Sequence, residues 1–490
     1  MKKLNPAFLI IVFLTLFYAG NNAVWLKKDS RLFGKDNSYH LRTAIEYNLE
    51  YRRVLNENTG IFSRVRELMK MTSEFTATPT HPPKLYLMAS LFNPSHFSIF
   101  KARFFVNFVY YIILIVSLYY FGKKLFDKRT ALTACFIISF YPIVYIYSRN
   151  FKLDFPLLAM VSLSLALWAY TEDFKNIKYS LLLGLALGLA MITKIQILIF
   201  IAPAFIYSLF KLVKDNEERK KRIVGILITS LIASLFFVFW WGQEFLEKFF
   251  YALQLVFYRF EFIKNIIPHA QTFPQVPTNQ MPLFTFGNIS YYPFSLTAFM
   301  SFPLMILFLV SFYFYIRKKG KNLGFFLFNI VFMYLVFTYI PVKSGRNMLP
   351  FILFASLISA WFIWEIKERK KRGALLCLTG GYSLVLYLLL SWVLPNYGKS
   401  LYWPLPSRYY LHSSYEPFKE REGYKVLFPI SWPIDYPAIP EDTLGKIYET
   451  ETFVILREAL EAGKKTEVDF RLSILMVKWG HTDLWYHLAL

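Results

Sequence analysis

The residues best suited to chemistry are charges and histidines standing at the ends of long apolar runs. Asp36, in Asp36-Asn37-Ser38-Tyr39-His40, follows the first such run. A carboxylate just above a bilayer suits a general base, because partial desolvation raises its pKa toward the working range. Asp36 or Ser38 would equally serve as the N-cap of a helix through 40–51. His81-Pro82-Pro83-Lys84-Leu85-Tyr86 leads into a second apolar stretch. Pro-Pro fits a helix start, and His81 reads either as a ligand contact or as a structural histidine of an interfacial helix. Arg149 and Asp154 flank a short connection between two apolar runs. They either pair with each other or present a base and an acid to a ligand. Lys194 interrupts a further long apolar stretch, and Lys343-Ser344-Gly345-Arg346 sits between two more. Each is a snorkelling interfacial cation or a phosphate contact, for which Arg offers a fork of donors and Lys a point charge.

Charges of opposite sign converging from different spans mark sites more often than single interfacial charges do. Two carboxylates, Asp36 and Asp154, and five cations, Lys84, Arg149, Lys194, Lys343 and Arg346, would then share one rim. Their natural partner is an anionic headgroup, and a lipid-linked phosphate with its tail between the spans fits.

The elements that must position this rim are membrane helices. Of 490 residues, 56% are hydrophobic and only 18% charged, against ~25% charged in soluble domains; mean hydropathy is +0.37. This composition excludes a soluble enzyme, a disordered chain and a coiled coil. Runs long enough for ~30 Å of hydrocarbon fall near 4–26, 103–122, 130–148, 155–171, 179–193, 195–211, 223–241, 293–316, 323–340, 348–366 and 373–394, so about 11 transmembrane helices are expected. The net charge of +23 suggests nucleic acid at first, but residues 395–490 carry 11 basic and 13 acidic side chains. The excess travels with the spans, and no nucleic-acid partner is expected. Basic clusters at 123–129, 211–222, 317–321 and 367–372 occupy alternate connections, which puts them all on one side. By the positive-inside rule that side is cytoplasmic, together with Lys2 and Lys3, and the C-terminus is extracytoplasmic. The first run also resembles a signal peptide; with ten more spans behind it, an uncleaved anchor is the better reading.

Residues 1–394 are thus expected to form the transmembrane domain, with long outer loops at 27–102 and 242–292. A small extracytoplasmic α/β segment should follow at 395–490, with a helix around 444–462. Long loops in compact folds are usually functional. Cys135 and Cys377 lie inside apolar runs and indicate no disulfide framework.

Taken in order, these motifs resemble the GT-C superfamily of membrane glycosyltransferases. The likeness is to the dolichyl-phosphate-mannose–protein mannosyltransferase group, with the aminoarabinose transferases that modify lipid A. The motifs that carry it are Asp36…Tyr39-His40, His81-Pro82-Pro83…Tyr86, Arg149…Asp154-Phe155-Pro156, Gly184…Gly188…Thr193-Lys194 and Arg346…Pro350. Asn37 stands where the family has an acid, and Asn347 where it has a tyrosine. Trp240-Trp241 resembles the oligosaccharyltransferase signature but lacks its Asp, and reads as an interfacial aromatic belt.

The resemblance implies a polyprenyl-phosphate-linked sugar as donor and transfer with inversion to an acceptor hydroxyl on a glycan, a lipid or a protein. Asp36 would deprotonate or orient the acceptor, and Asp154 would support the acceptor side or orient Arg149. Arg346 and Lys194, then Arg149, Lys84 and Lys343, would stabilise the departing phosphate. Tyr39, His40, His81 and Tyr86 would line the substrate site. No cofactor is firmly implied; His81 or His40 joining Asp36 or Asp154 leaves room for a divalent metal. The short basic connections suit a bacterial inner membrane. The rival is a transporter of a lipid-linked sugar, which should show inverted repeats and ionisable groups near the midplane; the sequence has neither.

Overall fold

The computed structural model describes residues 6–28, 35–56, 84–94, 97–214, 218–241, 284–340 and 345–389, with Gly60, Ser63 and Ser391. The expected C-terminal α/β segment and most of the second outer loop lie outside these residues. Among the described residues there are helices and no strand. They are α1 (Pro6–Lys28), α2 (Lys35–Asn56), α3 (Lys84–Leu91), α4 (Ile99–Leu125), α5 (Lys128–Ser139), α6 (Pro142–Ser148), α7 (Asp154–Thr171) and α8 (Ile177–Met191). There follow α9 (Ile197–Lys214), α10 (Arg219–Trp241), α11 (Phe286–Met300), α12 (Phe302–Arg317), α13 (Leu323–Tyr339), a short 3-10 turn at Gly345–Met348, α14 (Phe351–Glu365) and α15 (Arg369–Leu388).

The chain is an integral, multi-pass membrane protein. Helices α1, α4, α7 and α10 are each long and apolar enough to cross a bilayer alone. Two further runs are broken: α5 and α6 meet at 65°, and α11 and α12 at 111°. The first break falls where Pro142 opens α6, since proline cannot continue the preceding helix's hydrogen bonds. Helices α8, α9, α13 and α14 are apolar and shorter. As Lys194 suggested, one long run is divided, α8 ending at Met191 and α9 beginning at Ile197.

Capping sets several helix starts. Asp127 Oδ1 accepts from the amides of Arg129 (2.7 Å) and Thr130 (3.1 Å) at α5, and Ser98 caps α4. Helix α4 packs along α7, and α8 against α10. That second approach depends on glycine: a Cβ on Gly188 would stand 2.4 Å from the Phe236 ring, and one on Gly184 2.9 Å from the Thr229 carbonyl. Small residues let backbones approach where lipid supplies no hydrophobic drive between helices. In the Gly…Gly…Thr-Lys motif, the glycines therefore set helix spacing.

The four basic connections meet at one end of the bundle, as their alternation predicted. Lys124 pairs with Glu172 at 2.7 Å, and neighbouring Asp173 with Lys211 at 3.0 Å. Asn322 donates to the Leu125 carbonyl (3.3 Å), and Lys318 pairs with Glu365 (3.3 Å). Arg129 and Arg372 both lie over the Trp364 ring, 5.4 and 5.1 Å from its centre. Asp154 begins α7 at the opposite end; the helix's 18 residues separate the two ends by about 27 Å at 1.5 Å per residue.

Candidate active site at the Asp154 end of the bundle

Asp154 opens α7, where helix-end amides favour a negative charge. The loop that delivers it is held from α4: Arg103 Nε donates to the Arg149 carbonyl (2.9 Å) and Asn107 Nδ2 to that of Asn150 (2.8 Å). The Asp154 side chain is only 4% exposed. Lys194 Nζ reaches Oδ1 at 2.8 Å, and Arg346 comes within 3.8 Å of Oδ2. Three sequence-distant motifs thus converge on one buried carboxylate with two cations.

The turn after α8 aims Lys194. Thr193 Oγ1 donates to the Leu189 carbonyl at 2.8 Å, and the Lys194 amide to the Ala190 carbonyl at 2.8 Å. Lys84, at the start of α3, comes to the same place by another route. Its Nζ donates to the Leu189 carbonyl (3.2 Å), touches Met160 Sδ (3.6 Å) on α7, and lies 5.6 Å from the centre of the Tyr110 ring. Lys84 has no ion pair with any described carboxylate. Burial pushes its pKa down to about 7.

Helix α2 begins one residue before Asp36, so Asp36 lies inside the first turn and does not precede it as an N-cap. Its side chain, and that of Tyr39, lie outside the described residues. One turn on, His40 is buried and its Nδ1 is 2.8 Å from the Tyr86 hydroxyl. Tyr47 packs on the same ring, with centroids 5.4 Å apart. These contacts dock the turn that carries Asp36 against the short helix that carries Lys84. His81 and Lys343 lie outside the described residues. Among the described residues, no three His, Cys, Asp or Glu side chains gather as metal ligands would.

Arg149 departs from expectation. Its guanidinium turns away from Asp154, with Nε donating to Asn22 Oδ1 (2.9 Å) and NH2 to Ser391 Oγ (2.7 Å). The rings of Trp25, Tyr145 and Tyr387 surround it, at 4.6, 5.4 and 5.6 Å. A buried cation seeks the densest set of acceptors and ring faces available, and here α1 and the chain after α15 supply them. Arg149 therefore ties the first and last helices to α6 and is not among the cations around Asp154. Reading the sequence also missed Tyr110, Met160 and the Leu189 carbonyl; inside apolar runs, none carries a charge that would draw notice.

Residues 79–241, a third of the chain, match the family model described as dolichyl-phosphate-mannose-protein mannosyltransferase. The match takes in Lys84, Asp154 and Lys194; Asp36 and Arg346 lie outside it. A protein of Aquifex aeolicus (strain VF5), described as uncharacterized, is 25% identical over 335 residues, covering 65% of this chain and 61% of that protein, less than two thirds of its length. Among solved structures, ArnT from Cupriavidus metallidurans bound to undecaprenyl phosphate superposes with a TM-score of 0.53 at 12% identity, over 95% of this chain and 75% of ArnT. Its apo form gives 0.53 and 12% over 96% and 76%. With the helical architecture, the ordered motifs and the matched segment in agreement, the chain has the fold of the GT-C superfamily of membrane glycosyltransferases.

Proposed function

We propose that this chain is a glycosyltransferase that moves a sugar from a polyprenyl-phosphate donor to an acceptor hydroxyl, with inversion, at the Asp154 end of the bundle. The observation that carries the reading is the meeting of Lys194 and Arg346 on buried Asp154, beside a Lys84 that meets no carboxylate among the described residues. The undecaprenyl phosphate bound by ArnT, on the same fold, is a ligand of the matching class.

In this reading Asp36 takes the proton of the acceptor hydroxyl as its oxygen attacks the anomeric carbon. The bond from that carbon to the phosphate oxygen breaks, and the electron pair leaves with the polyprenyl phosphate. Charge then grows on the phosphate while the sugar is oxocarbenium-like. Lys194, Arg346 and Lys84, with Lys343 nearby in sequence, stabilise that charge without reorganising. Because a phosphate leaves readily, no acid need protonate it. Asp154 acts by holding Lys194 and Arg346 in place, and Tyr39, His40, His81 and Tyr86 shape the substrate side. By the positive-inside rule, the basic end is cytoplasmic and the site faces outward, in a bacterial inner membrane.

The test uses the full chain in nanodiscs with radiolabelled undecaprenyl-phosphate sugars. Transfer of label to glycan, lipid or protein acceptors supports the reading, as does its loss in Asp36→Asn with lipid binding retained. Full activity of Asp36→Asn removes the base. Movement of the donor across liposomes with no glycosidic bond formed replaces the reading with transport.

A further inference from the structure

Lys84 is held unlike the other cations at this end. Lys194 and Arg346 rest on Asp154, so a phosphate must share them with a resident anion. Among the described residues, the contacts of Lys84 are a ring face, a thioether and one carbonyl. We propose that Tyr110 is a positioning residue for Lys84, its ring face taking the place of a carboxylate and keeping the ammonium aimed at the donor phosphate; this rests on the functional reading above.

The geometry of three elements supports it. Tyr110, on α4, is fully buried, with Lys84 Nζ 5.6 Å from its ring centre. Its hydroxyl faces Thr193 without completing a well-aligned hydrogen bond. Thr193 in turn donates to the Leu189 carbonyl, the group that accepts from Lys84. Lys84, Tyr110, Thr193 and Leu189 so lie side by side, joined through the Leu189 carbonyl, and Lys194 follows Thr193 directly. A quadrupole attracts a cation yet carries no net charge, so among the described residues no anion competes with an arriving phosphate at Lys84. The packed elements also carry charge toward this end: Asp154, earlier on the helix that carries Met160, Lys194 after Thr193, Lys101 and Arg103 on α4, and the titratable His40 with Arg42 and Glu46 on α2. Burial holds the Lys84 ammonium below the usual lysine range.

The test grades the ring without changing its shape. Tyr110 is replaced by Phe, then by difluoro- and pentafluorophenylalanine, in full-length protein in nanodiscs. Lys84 is followed by NMR of carbon-13-methylated lysines, its signal assigned by loss in Lys84→Arg. Tyr110→Phe should keep the Lys84 midpoint, because the face remains. Fluorination should lower that midpoint stepwise and weaken binding of undecaprenyl phosphate at pH 7.5 by about three- to tenfold. A midpoint that stays fixed across the series, with binding intact, overturns the role of Tyr110 alone. Absence of undecaprenyl phosphate binding in the unsubstituted protein overturns the functional reading and the aim of the ammonium with it, whatever the midpoints do. The near-isosteric series separates the charge effect from packing, and Tyr110→Leu, if folded, should match the most fluorinated ring.

Discussion

The two ends of the bundle each hold a lysine–aspartate pair, and they differ in burial and in company. At the Asp154 end the carboxylate is 4% exposed and takes two cations from separate connections. At the other end Asp173 is 19% exposed and Lys211 44%. Asp173 also lies 3.5 Å from the Ser208 hydroxyl, to which Trp168 Nε1 donates at 2.9 Å. That pair closes a seam between α9 and the turn after α7 and is wet enough to be screened. The basic end is thus held by many weak, local contacts, whereas the other end concentrates charge around one buried carboxylate. Such a concentration has a structural cost that a site can use, since an incoming anion finds cations already placed and partly desolvated.

Removing Asp154 should give the largest difference between the ends. Asp154→Ala leaves two partly exposed cations, Lys194 at 19% and Arg346 at 33%, without their buried carboxylate, and the cost should reach about 3 kcal/mol, the lower end for a broken buried pair. Thermal unfolding in detergent should show it; equal effects of Asp154→Ala and Asp173→Ala would erase the contrast. Next come the cations. Lys194→Ala or Arg346→Ala should lower kcat by about 10²–10³, the scale of one preorganised donor to a developing oxyanion, measured with the labelled donor.

A smaller effect should come from pH. The folded pKa of Lys84, about 7, lies below the ordinary lysine value of about 10.4. Between these the unfolded chain binds more protons, so stability should rise with pH through this window, and the cost of burying the charge is present in full below it. Phosphate affinity should run the other way, falling by up to about tenfold per unit above pH 7 as the ammonium is lost. Lys84→Met should flatten that dependence in a binding titration, and an unchanged slope would remove Lys84 from the phosphate site. Smallest of all, Asp173→Asn should cost about 1 kcal/mol or less, as exposed pairs do, and leave the rate of transfer as it was.

Much of this architecture was legible in the residues themselves. Apolar runs and basic connections are local properties: a window of side chains decides whether a segment enters lipid, and alternate clusters of Lys and Arg predict a common side. The observed meeting of Lys124, Lys211, Lys318 and Arg372 with partners at one end follows from that alternation. The ordered motifs reached the GT-C fold, and Lys194 marked the division of a long run into α8 and α9.

Which charge meets which was another matter. Arg149 stands five residues from Asp154, close enough to promise a pair, yet the chain places it among Trp25, Tyr145 and Tyr387. Asp154 is satisfied instead by residues 40 and 192 positions further along. Hydropathy sums along a segment, so it can be read without neighbours. A buried charge is settled by the acceptors and rings that other helices bring within a few ångströms, and only packing in three dimensions chooses those.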